Sequence, residues 1–545
     1  SSIRGRSSME VGQSATRFVG GCLRAGIRRI GGKEFGVTDF VNPSQLGDKS
    51  VSEVINAMTD GGADYSFECI GISSVMTEAG RGKTIILGVE KDSQPLCLPS
   101  FEFLFGKCVM GSLFGGAKPK TDIPILAEKC MNKELELEKL VTHEVGLTEI
   151  NTAFDLLLQG KSLRCIIWMD KAPRQQKPLY YLLSLASMAG QIPQPIRCKA
   201  AVCRAAGEPL AVEEIVVDPP KAHEVRIKIV CTSLCHSDVT VVESVGEHVE
   251  GFAAGDPVVP TFLGQCTECV DCASERSNVC STYRFAVRPG MPRDGTARFR
   301  DRHGAPIHHF LGVSSFSEYT VVDANQVVRV DPAVPPATAS LLSCGATTGV
   351  GAAWKLAKVE PGSSVAIFGL GAVGLAVAEG ARICGKKFGV THFINPQELG
   401  DKPVSQAIIE MTDGGADYCF ECIGLASVMS DAFRSSREGW GKTIILGVEM
   451  HGAPLSIPSL EILNGKCVMG SLFGGVKPKQ DIPILADKYL NKELELDKFI
   501  THEVPLKDIN TAFDLLLQGK SLRCTIWMDK EMSRLKEQGK ITSYI

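Results

Sequence analysis

What this sequence lacks narrows it first. No apolar run is long enough to cross a bilayer: the stretch near the middle, Pro178 to Ala189, is interrupted and far short of the roughly 20 residues a span requires. The arginines near the N-terminus are followed by no continuous apolar core, so a secretory signal is not expected. Neither sign of charge dominates, with 58 basic against 62 acidic residues and a net charge of −4. That balance gives no electrostatic reason to expect nucleic acid or a membrane as partner, and a small molecule is the expected ligand. Twenty cysteines in 545 residues are too sparse for a disulfide scaffold. Most, such as Cys69, Cys108, Cys422 and Cys467, stand singly in apolar runs, where a thiol is a small core hydrophobe. A cytoplasmic protein is the expectation.

What is present is, above all, a duplication. Residues 34–171 and 387–530 are near copies, from FGVTDFVNP against FGVTHFINP to TAFDLLLQGKSLRC in both. Such a long period is a domain-sized unit present twice, not a solenoid repeat. Within a copy, β-branched and aromatic runs closed by glycine (ADYCFECIG, KTIILGV) alternate with helical patterns. One of these places Ile509, Ala512, Phe513 and Leu516 on one face, with Gly519 as the expected C-terminal stop. Alternation of this kind predicts a doubly wound parallel α/β sheet. Between the copies the pattern changes to short strands separated by Pro, Gly and Asp: AVEEIVV, EVRIKIV, DPVVPTF, SEYTVV. That is the mark of an all-β unit.

Four cysteines depart from the scattered background. Cys266, Cys269, Cys272 and Cys280 are spaced C-x2-C-x2-C-x7-C. Tetrahedral zinc needs four thiolates about 2.3 Å from one point, and loops this short can wrap an ion without help from distant chain. Four protein sulfurs leave no open position, so the metal predicted here is structural.

A glycine loop follows later. Ser364 to Phe368 is apolar and runs into Gly369-x-Gly371-x-x-Gly374, with a helical pattern from Leu375 to Ala381. Gly369 permits the tight turn, Gly371 close approach of a pyrophosphate, and Gly374 close helix–strand packing. The helix N-terminus would face the phosphates. The acidic residue that should end a second strand about 20 residues on is missing. The chain passes from ARICG into KKFGVTHF with no apolar strand between.

With these residues in view, residues 188–530 closely resemble the zinc-containing medium-chain alcohol dehydrogenases, in particular the plant alcohol dehydrogenase-like group related to class III. CKAAVCRAAGEPL, TSLCHSDVT, GQCTECVDC, LLSCGATTG, FGLGAVGL and SLRCTIWM carry the resemblance. It implies a GroES-like domain with a structural zinc lobe plus a Rossmann-type domain, here with a second partial copy N-terminal, usually dimeric. It implies hydride transfer between a primary alcohol or aldehyde, hydroxymethylglutathione among them, and NAD at a zinc site. By resemblance, Cys235 and Cys344 match two of three catalytic zinc ligands, and Ser237 matches the proton-relaying hydroxyl. His236 and Arg523 match pyrophosphate contacts, and Thr348 lies at the nicotinamide. The family's Gly-His-Glu segment, source of the third ligand, is absent: Thr240 runs directly into VVESVGEHV. His248 belongs to a later element and is not its replacement, and Asp238 is left without the histidine it would orient.

The expected map is 1–33 unassigned, 34–171 a partial Rossmann-type repeat, 172–197 a linker, and 198–345 a truncated GroES-like domain. A truncated NAD-binding domain over 346–515 and a return to the first domain over 516–545 complete it. Three functional readings follow: an alcohol dehydrogenase, a zinc-stabilised fusion or mis-spliced product without activity, or a reductase working without catalytic zinc, against which the lost ribose-binding strand counts. The repeated GKCVMGSLFGG stretch, Gly106–Gly116 and Gly465–Gly475, adds the expectation of an intrachain pseudo-dimer.

Overall fold

The computed structural model describes residues 194–528 apart from 206–207, 234–236, 275–276, 284–285 and 386–389. Before them it describes 19–21, 39–41, 46–59, 65–68, 82–87, 95–103, 106–111, 141–146 and 164–168, with a few single positions. Two compact units result, one within 1–89 and 112–186, the other within 90–111 and 187–545. The first repeat, expected as one body over 34–171, is therefore divided. Its segment 90–111 belongs with the second unit, because the apolar strands it carries pair there.

In the first unit, short parallel pairs join Val19–Gly21 to Asp39–Val41, Tyr65–Glu68 to Lys83–Ile86, and Val141–Gly146 to Arg164–Trp168. The first of these strands falls in the stretch that periodicity left unassigned. Helix Val51–Met58 starts on a capping box: the Glu53 amide donates to Ser50 Oγ, and the Ser50 amide donates to the Glu53 carboxylate at 2.8 Å.

The second unit begins with the β module. Ile196–Val202 and Ala211–Val217 pair antiparallel with alternating burial, as their period-2 pattern requires. Glu224–Ser233 is the central strand of a second sheet, flanked by Ser237–Val245, Tyr319–Asp323 and Arg523–Trp527. The last of these brings residues 523–527 back onto this module. Trp527 is buried there, its indole donating to Glu503 at 2.8 Å.

The α/β part is a parallel sheet in the order Val365–Phe368, Tyr418–Glu421, Lys442–Ile445, Cys467–Gly470. Tyr418–Glu421 is buried at every position, which explains the apolar and aromatic run Tyr418–Phe420, and the buried Glu421 that closes it accepts from the Ile423 and Gly424 amides at 2.8 Å. Helices Ala372–Gly385 and Ala426–Ser435 cover it, the former longer at both ends than the predicted span. Among the described residues no strand follows helix Ala372–Gly385 before Tyr418–Glu421. Residues 390–395 are irregular, with Val390 and Phe393 exposed, and lead to helix Val404–Met411. Among the described residues strand Val365–Phe368 therefore pairs on one side only, in agreement with the missing second strand in the sequence.

Candidate functional site

The four clustered cysteines converge. Their sulfurs all lie within 4.8 Å of one another, the one such group of three or more His, Cys, Asp or Glu ligands found among the described residues. Cys266 Sγ stands 4.0 Å from Cys272 Sγ, and Cys269 Sγ 3.8 Å from Cys280 Sγ. Bonds of about 2.3 Å at tetrahedral angles require sulfur–sulfur separations of about 3.8 Å, so this donor set fits zinc. A disulfide would need about 2.05 Å. Backbone amides support the cluster: Cys269 N donates to Cys266 Sγ at 3.3 Å, Cys272 N to Cys269 Sγ at 3.4 Å, and Tyr283 N to Cys280 Sγ at 3.3 Å. Burial alone would raise the Cys269 thiol, but hydrogen bonds from Ser281 and the Cys272 amide outweigh it and bring it to about 5. Burial pushes the neighbouring Cys272 and Cys280 thiols up, so a bound metal must displace their protons.

Residues some 200 positions away hold this lobe in place. Lys477, almost fully buried, donates through Nζ to the carbonyls of Cys272 at 2.8 Å and Asp271 at 3.4 Å, and to that of Ser274. Asn278 Nδ2 donates to the carbonyls of Leu472 at 2.8 Å and Val476 at 3.1 Å. Burial lowers the Lys479 ammonium, while the charges of Asp323 and the cluster thiols oppose that fall. Two lysines beside four thiolates offset the net negative charge a zinc–tetrathiolate retains. Local pattern could not have found them, because VKPKQ carries no mark of what it will meet.

The glycine loop has the geometry its sequence implies. Gly369 sits at φ +91°, where a side chain is strained, and a Cβ there would lie 2.7 Å from Ile423. A Cβ on Gly374 would fall 1.9 Å from the Gly369 carbonyl, so only glycine lets the helix start this close to its strand. Gly371 meets nothing within 4 Å, leaving backbone open to a ligand. Helix Gly345–Gly351 packs on the first turns of the loop helix: a Cβ on Gly349 would lie 2.3 Å from the Val373 carbonyl. Thr348 precedes Gly349 in that helix, its Oγ1 donating to the Cys344 carbonyl at 2.9 Å. Arg523 is buried, and its Nη2 would lie 2.1 Å from a Cβ on Gly345. Cys344, Thr348 and Arg523, scattered over some 180 residues, thus gather round one short helix.

The remaining candidates fare differently. Cys235 and His236 lie outside the described residues, and for Ser237 only the strand position opposite Ser233 is described. Cys344 joins no group of three or more potential metal ligands among the described residues. His248 is exposed and rests against the His223 ring at 5.4 Å, away from any such group. The described residues therefore fit a structural metal, and they do not assemble a catalytic one.

A β module joined to a parallel dinucleotide-type sheet, with a four-cysteine lobe, is the architecture of a dehydrogenase. The zinc-binding dehydrogenase family pattern matches residues 364–491, and the alcohol dehydrogenase GroES-like domain matches residues 239–332. Alcohol dehydrogenase-like 7 of Arabidopsis thaliana is 54% identical over 375 residues, covering 62% of this chain and 96% of that protein. Alcohol dehydrogenase 1 of Petunia hybrida is 47% identical over 383 residues, covering 63% and 99%. The alcohol dehydrogenase zinc-binding domain protein from Burkholderia ambifaria superposes with a TM-score of 0.57 at 31% identity, covering 62% of this chain and all of that one. The chain belongs to the zinc-containing alcohol dehydrogenases, a family of oxidoreductases. The aligned length of 375 residues exceeds 62% of 545, so the Arabidopsis relative carries residues with no counterpart here.

Proposed function

We propose that this chain is an alcohol dehydrogenase by descent, of the class that exchanges a hydride between a primary alcohol or aldehyde and NAD, with hydroxymethylglutathione among the candidate substrates. The observation that carries the reading is the turn at Gly369–Gly374, with Gly371 open to a ligand and helix Gly345–Gly351 packed through Gly349 on the helix that follows it. NAD, when bound, supplies the hydride acceptor. The chain's part is to bind and orient it. The open amides of the loop and the N-terminus of helix Ala372–Gly385 receive the pyrophosphate. Arg523 lies against the first residue of helix Gly345–Gly351, where positive charge meets the positive end of the helix dipole. That charge favours an anionic group nearby, and by resemblance Arg523 and His236 are the pyrophosphate contacts. Thr348 lines the nicotinamide end, and Ser237 passes the substrate proton outward.

The binding half of this function is better supported than the chemical half. Cys235 and Cys344 supply two thiolates where catalytic zinc sites carry three protein ligands. The one-sided pairing of strand Val365–Phe368 also removes the place of the ribose-binding carboxylate. These two observations favour a second reading of this exact polypeptide: a zinc-stabilised protein that holds NAD weakly and turns over at or near background. Titration with NADH, followed by its fluorescence, tests the binding half. Assays with ethanol, hydroxymethylglutathione and a long-chain alcohol test the chemistry. Saturable NADH binding without turnover is expected. Robust turnover contradicts the second reading, and no saturable binding contradicts the first.

A further inference from the structure

Two strands of the first repeat pair with their own copies in the second, and the pairing is symmetric. Strand Pro95–Pro99 lies antiparallel to Pro454–Pro458, with Pro95 opposite Pro458, Cys97 opposite Ser456, and Pro99 opposite Pro454. Strand Cys108–Gly111 lies antiparallel to Cys467–Gly470, with Cys108 opposite Met469, Val109 opposite Val468, and Met110 opposite Cys467. Equivalent residues of the copies are 359 apart here, as Cys108 and Cys467 are. Exchanging the copies therefore leaves both sets of pairs unchanged, which defines a twofold axis through Val109/Val468 and Cys97/Ser456.

The packing obeys the same axis. The Gly111 amide donates to the Lys466 carbonyl at 3.3 Å, and the Gly470 amide to the Lys107 carbonyl at 3.1 Å. A Cβ on Gly111 would lie 1.6 Å from the Ile462 carbonyl, and one on Gly470 would lie 1.4 Å from that of Phe103, the position equivalent to Ile462. Each copy thus has a glycine that lets the other copy's short helix approach. Leu96, Leu98, Phe103 and Val109 are fully buried, as are Leu455, Ile457, Ile462 and Val468. The Sγ atoms of Cys108 and Cys467 stand 3.5 Å apart across the seam.

A seam in which the same patch meets itself is the isologous contact of a twofold homodimer. We propose that residues 95–111 act as a built-in second subunit, covering the edge strand Cys467–Gly470 that a second copy of this chain would otherwise pair with. An uncovered strand edge is a template for another chain, and occupying it from within blocks that route. The tether favours the internal partner, since a linked segment has an effective concentration in the millimolar range when its linker can span the gap. The chain is therefore monomeric through this face, although the face has the symmetry of a dimer.

The test uses the full chain. Light and heavy-isotope preparations are mixed, oxidised with diamide, and digested for peptide mapping, while light scattering after size exclusion gives the mass. The expected result is a monomer whose Cys108–Cys467 disulfide links peptides of one isotope only. Mixed light–heavy links at this seam, a dimer mass, or no Cys108–Cys467 link overturns the proposal. Gly111→Val adds a second arm, because it blocks docking of the first copy and leaves Gly470 intact. It is expected to double the mass and to yield interchain Cys467–Cys467 links, while Gly111→Val combined with Gly470→Val stays monomeric. A folded, monomeric Gly111→Val chain that keeps its intrachain Cys108–Cys467 link also overturns the proposal. If the variant does not fold, the isotope experiment on the unaltered chain decides alone.

Discussion

Replacing Cys269 with Ser tests the zinc lobe where its energetics can be worked through. The sulfurs at 3.8 and 4.0 Å define a closed four-thiolate cage, and serine at one corner supplies neither a thiolate nor a bond of the right length. Structural zinc is worth about 10–16 kcal/mol of folding free energy in small zinc peptides, as much as a domain's whole stability of about 5–15 kcal/mol. Without its ion the lobe is expected to unravel locally, and what the rest of the unit loses is the docking. Lys477 forfeits three charged hydrogen bonds, any one of them worth about 1.5–3 kcal/mol, and Asn278 two amide bonds of about 1 kcal/mol each, so the loss is at least about 4 kcal/mol. At about 2 °C per kcal/mol, the thermal transition falls by at least about 8 °C. Mass-spectrometric metal analysis and calorimetry of parent and variant measure both quantities. A Cys269→Ser chain that retains one tightly held zinc and melts within about 2 °C of the parent would refute the reasoning.

Lys477→Met, which keeps the length of the side chain and removes its donors, should lower stability by at least about 1.5 kcal/mol in urea with zinc still bound, separating docking from ligation. Gly374→Val places a Cβ against the Gly369 carbonyl, adding about 1–3 kcal/mol of strain at the loop. NADH titration should then show a clear loss of affinity, and unchanged affinity counts against the loop as the binding site. Burial, with the Arg298 guanidinium near it, holds the His309 imidazole at about 4, against about 6.5 when unfolded. The unfolded chain therefore binds the extra proton between those values, so this contribution is intact above pH 6.5 and lost as the pH falls towards 4. From pH 7 to 5 the loss is about 2 kcal/mol, and His309→Asn should flatten that part of the urea-midpoint profile.

Segments whose chemistry is local were legible in the sequence. The zinc cage is closed by residues 266–280, and the glycine loop by a contiguous strand, turn and helix, so spacing alone reports them. The alternating strands of the β module and the helix Ile509–Leu517 with Gly519 beyond its end were readable for the same reason. What depends on distant pairing was not. Lys477 and Asn278 have meaning only once the lobe and the start of helix Pro478–Leu490 are brought together. The gathering of Cys344, Thr348 and Arg523 came from resemblance, because no local period connects them. The repeat announced that two copies exist. Which strands of the first copy leave their neighbours to pair with the second follows from sheet register, which sequence identity does not encode.

The most direct measurement is the zinc content of the purified full chain, taken with its NAD-linked alcohol oxidation on the same sample. The account predicts one tightly held zinc per chain, released when the four-cysteine lobe is oxidised, and NADH production at or near background. Two tightly held zinc ions with robust alcohol turnover would contradict it.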